Sequence, residues 1–147
     1  MSLRTKVAVL LPLAALSLAG LTAGTAAADT HDKHGGMPKS AVQAVAEQNG
    51  VCNIDEVCLF YNSDVSGSFS DFYYEVEDFA GYKFLTTGNG KGQAVKNNAA
   101  SACNNDSVLT ARIHYNSGWQ GSYDDIAPLT CRNLTNTYNE NASLSWH

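Results

Sequence analysis

Four cysteines, four histidines and one pair of adjacent aspartates are the side chains in this sequence best suited to chemistry. Cys52, Cys58, Cys103 and Cys131 are not grouped as paired CxxC knuckles, the spacing of a structural zinc site. Their even number suits two disulfides, with three pairings open. Cys52 and Cys58 are close enough to close a tight local loop, which leaves Cys103 with Cys131 to tie distant segments; this is the pairing we expect. By chain entropy the longer bridge contributes roughly 3 to 4 kcal/mol. No HExxH, GxSxG or phosphate-binding loop occurs, and no cysteine stands in a catalytic pairing with a histidine. Asp124 and Asp125 are neighbours, so on a strand they point to opposite faces and cannot act as a catalytic pair. The chain is not expected to be an enzyme. Asp29, Thr30 and His31 offer one further possibility. If the chain is cut after Ala28, the free amine, two amide nitrogens and the imidazole could wrap a square-planar Cu²⁺ or Ni²⁺ ion. The alternative is an incidental histidine on a polar tail.

These residues need elements to position them, and the first 28 residues are not among those elements. Arg4 and Lys6 precede an apolar run that ends at Leu21, followed by Ala26, Ala27 and Ala28. This is the pattern of a signal peptide over 1–28; Pro12, Ser17 and Gly20 interrupt the run and leave it short for a membrane span. A secreted, extracellular chain follows, in the compartment where disulfides persist. What remains suffices for one ordinary core. All 14 acidic residues lie beyond the leader, whereas Arg4 and Lys6 leave with it, so the mature chain is more acidic than the formal −5 of the whole sequence. Such a charge gives no electrostatic reason to bind nucleic acid or an anionic membrane.

Residues 29–50 read as a flexible segment with a short helix. The stretch DTHDKHGGMPK offers little to bury, while Ser40 and Gln43 form a capping box and Asn49 and Gly50 a stop. From 51 to 147 the texture is that of strands. The segments 57–61, 69–76, 82–86, 108–115 and 134–138 are rich in aromatic and β-branched residues, with turn signals between them, and Asn89–Gly90 suits a tight hairpin. An internal repeat organises them. Tyr61, Asn62, Ser63, Gly67, Ser68, Phe69 and Asp71 recur as Tyr115, Asn116, Ser117, Gly121, Ser122, Tyr123 and Asp125 at one constant offset. A looser echo joins Asn98–Ser101 to Asn141–Ser143. The expectation is an all-β sandwich of two similar motifs about a pseudo-twofold axis.

At these residues the sequence resembles a βγ-crystallin-type domain, whose Greek keys open with an aromatic, four spacers, an aromatic, one spacer and a glycine. His114, Trp119 and Gly121 match with histidine in the first place; Phe60, Val65 and Gly67 match with valine in the second. More specifically, the chain from Cys52 to Trp146 resembles the secreted bacterial metalloproteinase inhibitors, peptidase inhibitor family 36. The resembling stretches are 58–63, 79–84 (FAGYKF), 88–101 (GNGKGQAVKNNAAS), 115–128 and 139–146.

The resemblance implies a monomeric inhibitor of an extracellular zinc metalloprotease that presents an exposed loop to the cleft. Such a loop must offer a donor to Zn²⁺, place an apolar side chain in the adjoining specificity pocket, and stay rigid. Ala127, Pro128, Leu129, Thr130 and Cys131 carry these ingredients; the alternative for Leu129 is packing in the core. The chain departs from the family pattern in having no short cysteine-closed loop in its second half, since Cys103 and Cys131 are far apart. The runner-up reading is a structural or weakly Ca²⁺-binding module. Asn97, Asn98 and Ser101 match the crystallin calcium pattern in the first repeat, and Asn139, Glu140 and Ser143 approximate it in the second. Ala102 and Leu144 stand where the closing serines belong, and Glu140 is the only carboxylate in these clusters. No cofactor is required by the inhibitor reading.

Overall fold

Strands form here where one face can be buried and the backbone finds a neighbour on at least one side. A computed structural model describes residues 48–147, which hold seven strands and no helix. They are β1 (Val57–Asn62), β2 (Ser66–Phe72), β3 (Ser101–Asn104), β4 (Ala111–Asn116), β5 (Gln120–Ile126), β6 (Thr130–Asn133) and β7 (Ser143–Trp146). One antiparallel sheet has the order β2-β1-β3-β6 and the other β5-β4-β7. Inward residues of the first, Val57, Leu59, Phe72 and Ala102, meet Ala111, Ile113, Ile126, Leu144 and Trp146 of the second. Phe79, Phe84 and Val95 from the long connection after β2 close the core. The leader, the polar tail with its short helix, and Asp29, Thr30 and His31 lie outside the described residues. At the first described positions, the Asp71 carboxylate accepts the N–H groups of Asn49 and Gly50 at 2.8 and 2.9 Å. Burial pushes that carboxyl above its ordinary range, and these bonds work against the rise.

The repeat is a repeat of structure. Both hairpins, β1–β2 and β4–β5, carry an irregularity at the same place, after Phe60 and after His114. Both then turn through a residue of positive φ, Val65 and Trp119, and reach a left-handed glycine, Gly67 and Gly121. A serine of the returning strand pins each turn. Ser101 donates its hydroxyl to Asn62 O and accepts from Val65 N–H, while Ser143 donates to Asn116 O and accepts from Trp119 N–H. Ser101 and Ser143 occupy equivalent places, and so do Asn97 and Asn139, both at positive φ, which fixes the register that the loose sequence echo left open.

The third segment of each motif crosses to the other motif's sheet. β6 of the second motif pairs with β3 of the first, Asn104 opposite Thr130. In return Val76 forms a bridge to Leu144 on β7, exchanging bonds of 3.0 and 2.8 Å. The result is the two-motif Greek-key sandwich that the sequence implied, with the first motif's crossing strand reduced to one bridge.

Two expected strands are absent. The 82–86 segment forms only the bridge Lys83–Ala94, because Tyr82 and Phe84 spend their side chains on the core and the loop around Asn89 folds back so that Asn89 O accepts Ser68 N–H. The 134–138 segment forms no ladder, since the amides of Thr135 and Thr137 go to the Asp124 carboxylate. Conversely β5 and β6 are poor in apolar residues and are strands because β4 and β3 supply the ladder, while β7 is a short alternation of serine with the buried Leu144 and Trp146.

A Cβ added at Gly121 would lie 2.8 Å from Asn116 Nδ2, at a φ of +84° that side chains resist. Gly121→Ala is expected to cost about 2 kcal/mol and lower the melting temperature by roughly 10 °C in a thermal melt. An unchanged melting temperature would show that the turn tolerates a side chain.

Candidate functional site

One end of the larger sheet carries the most exposed large apolar side chains, Ile54, Leu129 and Val108. There Val57, Asn104 and Thr130 form a rung across β1, β3 and β6, and the next rung is Cys58, Cys103 and Cys131. The disulfides are Cys52–Cys58 and Cys103–Cys131; the second joins residues directly opposite each other, with Cα atoms 4.0 Å apart. Three connections project from this end: the loop closed by Cys52 and Cys58, the 105–109 loop, and the 127–129 turn.

The 127–129 turn holds the residues singled out from sequence. Leu129 is 69% exposed and sits at a φ of 54°, so it is not packed in the core, which corrects the alternative reading of its side chain. A bulky residue holds this conformation only when its surroundings impose it. They do so here. Leu129 N–H donates to Asp106 O at 3.0 Å, Thr130 donates both N–H and Oγ1–H to Ala127 O, and Cys131 is clamped to β3. The turn is therefore an apolar side chain held outward on a fixed backbone.

Its anchor is a pair of buried polar residues that the sequence reading missed. Asp106 is fully buried and its Oδ1 accepts the N–H groups of Val108 and Leu109 at 2.7 and 2.8 Å. Asn104 donates through Nδ2 to Leu109 O and Ile126 O and accepts from Asp106 N–H. The 105–109 loop is thus rigid before it offers its carbonyl to Leu129. The run Asn104, Asn105, Asp106 after a strand was the available signal, since such side chains bond their own backbone two residues on. Asp124 does the same for the connection after β6. Burial alone would raise its pKa, but four hydrogen bonds from Thr135 and Thr137 outweigh that and hold the carboxyl below its ordinary value. Asp125 faces the other way and forms a two-point pair with Arg112 at 2.7 and 2.9 Å, so the two aspartates are separated as their adjacency implied.

The calcium candidates are placed elsewhere. Ser101 and Ser143 spend their hydroxyls on the hairpin turns described above. The backbone N–H groups of Asn97, Asn98, Asn139 and Glu140 serve the connections before β3 and β7. Among the described residues no group of three or more His, Cys, Asp or Glu side chains is gathered to hold a metal. One carboxylate and two committed serines are a poor donor set for a cation that wants six to eight oxygens.

On the outer face of the smaller sheet, His114 is 5% exposed and its Nε2 lies 2.8 Å from Ser145 Oγ, which also meets His147 Nε2 at 2.9 Å. Its Nδ1 has no hydrogen-bond partner among the described residues. Burial, with Arg112 and His147 nearby, holds the imidazole below its ordinary pKa, against the pull of Asp125 and Glu75.

Stability should depend on both arrangements. Because the folded state lowers the His114 pKa, its contribution is complete above about pH 6.5 and is lost as pH falls from there through the folded value. Melting temperatures measured from pH 7.5 to 5 are expected to fall in this window, and less so for His114→Gln. Asp106→Ala is expected to cost about 3 kcal/mol by removing two buried bonds to a carboxylate, read by denaturant unfolding. It should also speed amide exchange at Leu129 more than at β4.

One solved structure agrees with this architecture at the level of the fold. A structure titled for the evolution of the eye-lens βγ-crystallin domain fold is similar with a TM-score of 0.51 and 14% identity, over 67% of this chain and 93% of that one. The N-terminal domain of protein S gives a TM-score of 0.44 and 20% identity, over 63% and 94%. No curated protein matches the sequence. The model of peptidase inhibitor family I36 matches residues 45–126, from before β1 to the end of β5. On that match, over more than half of its length, the chain belongs to peptidase inhibitor family I36 and is an inhibitor-family protein, not an enzyme.

Proposed function

We propose that this protein is a secreted, monomeric inhibitor of an extracellular zinc metalloprotease, and that the 127–131 turn enters the protease cleft. The observation that carries the reading is Leu129: an apolar side chain, mostly exposed, on a backbone fixed by Asp106 O, by Thr130 and by the Cys103–Cys131 bridge. In the cleft the Leu129 side chain fills an apolar specificity pocket, and a backbone carbonyl of the turn faces the protease's zinc. Rigidity is what favours inhibition over turnover. A turn already held in its bound shape loses little entropy on binding and does not relax to follow the reaction. Export is supported by the leader pattern of 1–28 and by the two disulfides of the described domain. Among the described residues no helix is long and apolar enough to cross a membrane.

Titration of the purified mature chain against a thermolysin-type protease tests the reading. Saturating inhibition at one-to-one stoichiometry is expected, with Leu129→Ala raising Ki by roughly 100-fold as the loss of a central apolar anchor. Full residual activity across several zinc proteases would sink the proposal. Millimolar Ca²⁺ is expected to leave the melting temperature unchanged, whereas a rise would favour the calcium-binding module instead.

A further inference from the structure

We propose that the loop closed by Cys52 and Cys58, with Ile54 at its crest, is a second point of contact with the protease, so that the inhibitor grips the cleft at two places. The inference rests on the reading of the Leu129 turn above and extends it to a segment in the opposite half of the sequence. Ile54 is 81% exposed, the highest figure among the exposed large apolar residues, and it has no role in the core. An exposed isoleucine is unremarkable on a mobile loop, but this loop is held at every side. The Cys52–Cys58 bridge spans six residues. Asn53 N–H donates to Glu56 Oε2 at 2.7 Å, and Asp55 takes a φ of 67°. Asp55 N–H donates to Asn105 O, Asn105 N–H to Glu56 O, and Asn105 Nδ2 to Cys52 O.

The partner of those last three bonds is what joins the two loops. Asn105 stands next to Asp106, whose carbonyl holds Leu129, so Ile54 and Leu129 are braced from either side by one rigid segment. Val108, 57% exposed, projects from that same segment. The spacing fits an extended cleft. The Ile54 loop leads into β1 and the Leu129 turn into β6, with β3 between them, so the two strands run about 10 Å apart. An extended substrate covers that distance in about three residues. A protease that binds a peptide across several apolar subsites has pockets on the same scale as the spacing of the strands these two loops lead into, and the family already supplies a protease as the occupant.

Inhibition constants of Ile54→Ala, Ile54→Asp, Leu129→Ala and the double variant Ile54→Ala/Leu129→Ala against a thermolysin-type protease separate the outcomes. Ile54→Ala is expected to raise Ki roughly 10-fold, mainly through faster dissociation, and Ile54→Asp by more, with melting temperatures unchanged because Ile54 supports no core contact. The same Ki for wild type and both Ile54 variants, with Leu129→Ala still weakened, overturns the two-point grip and leaves the Leu129 turn standing. Weakening by Ile54 variants with none by Leu129→Ala supports the Ile54 contact and overturns the assignment of the turn. Sedimentation showing a wild-type dimer that Ile54→Asp dissolves, at unchanged Ki, would identify a second copy of this chain as the occupant and overturn the proposal. A wild-type chain that inhibits no zinc protease removes both readings.

Discussion

Everything in this domain depends on the exchange of third segments between its two motifs. A β-sheet of a few short strands needs another layer on its apolar face before the surface it buries outweighs the entropy of ordering it. Each motif here is of that size, and each gives one stretch of backbone to the other's sheet: β6 to β3, and Val76 to β7. The exchange makes the two sheets one object, with a shared core that reaches from Val57 to Trp146. It also decides where the exposed apolar end lies, because the chain must turn between β5 and β6 as it changes sheets. Leu129 stands at that change of sheet, just before Thr130.

The two motifs have diverged in what they do with the same plan. The serine pins, the left-handed glycines and the positive-φ residues before them are kept in both copies. The crossing segment is not: in the second motif it is a four-residue strand carrying a disulfide, and in the first it is a single bridge followed by a long loop that packs Phe79 and Phe84 inward. Symmetry is kept where the backbone of the turns needs it and lost in the crossing segments. A rigid edge with a disulfide suits presentation to a partner, and a loop that fills a core suits stability.

The sequence revealed the fold because its strongest signals were matters of backbone geometry. Gly67 and Gly121 at one offset, with Tyr-Asn-Ser before each, can be read without knowing what packs on them. The pairing of the cysteines was readable for a similar reason, since six residues make a short loop. Leu129 was harder. A leucine after a proline and two residues before a cysteine reads as core, and the bonds that hold it outward include one to the carbonyl of Asp106, more than twenty residues earlier. Asn104 and Asp106 were overlooked because a run of polar residues reads as surface, whereas here both side chains are buried and bonded to the backbone of their own loop, Asn104 also to that of β5. The strands β5 and β6 were faint because their pairing partners, not their own composition, make them strands, and β7 because its alternation runs for only four residues.

The position of β7 sets when this domain can exist. Its backbone is the neighbour of β4, the bridge partner of Val76, and the source of Trp146 and Leu144, so β4 has only one neighbour and the core lacks two of its side chains until residues 143–146 arrive. The pairings that matter most join residues far apart in sequence, and contacts of that kind form late because loop closure must precede them. While 143–146 are still held back on a ribosome, β4 lacks this neighbour and the shared core stays open. Closure of the shared core therefore waits on the last of the described strands, and the domain closes as a whole rather than strand by strand.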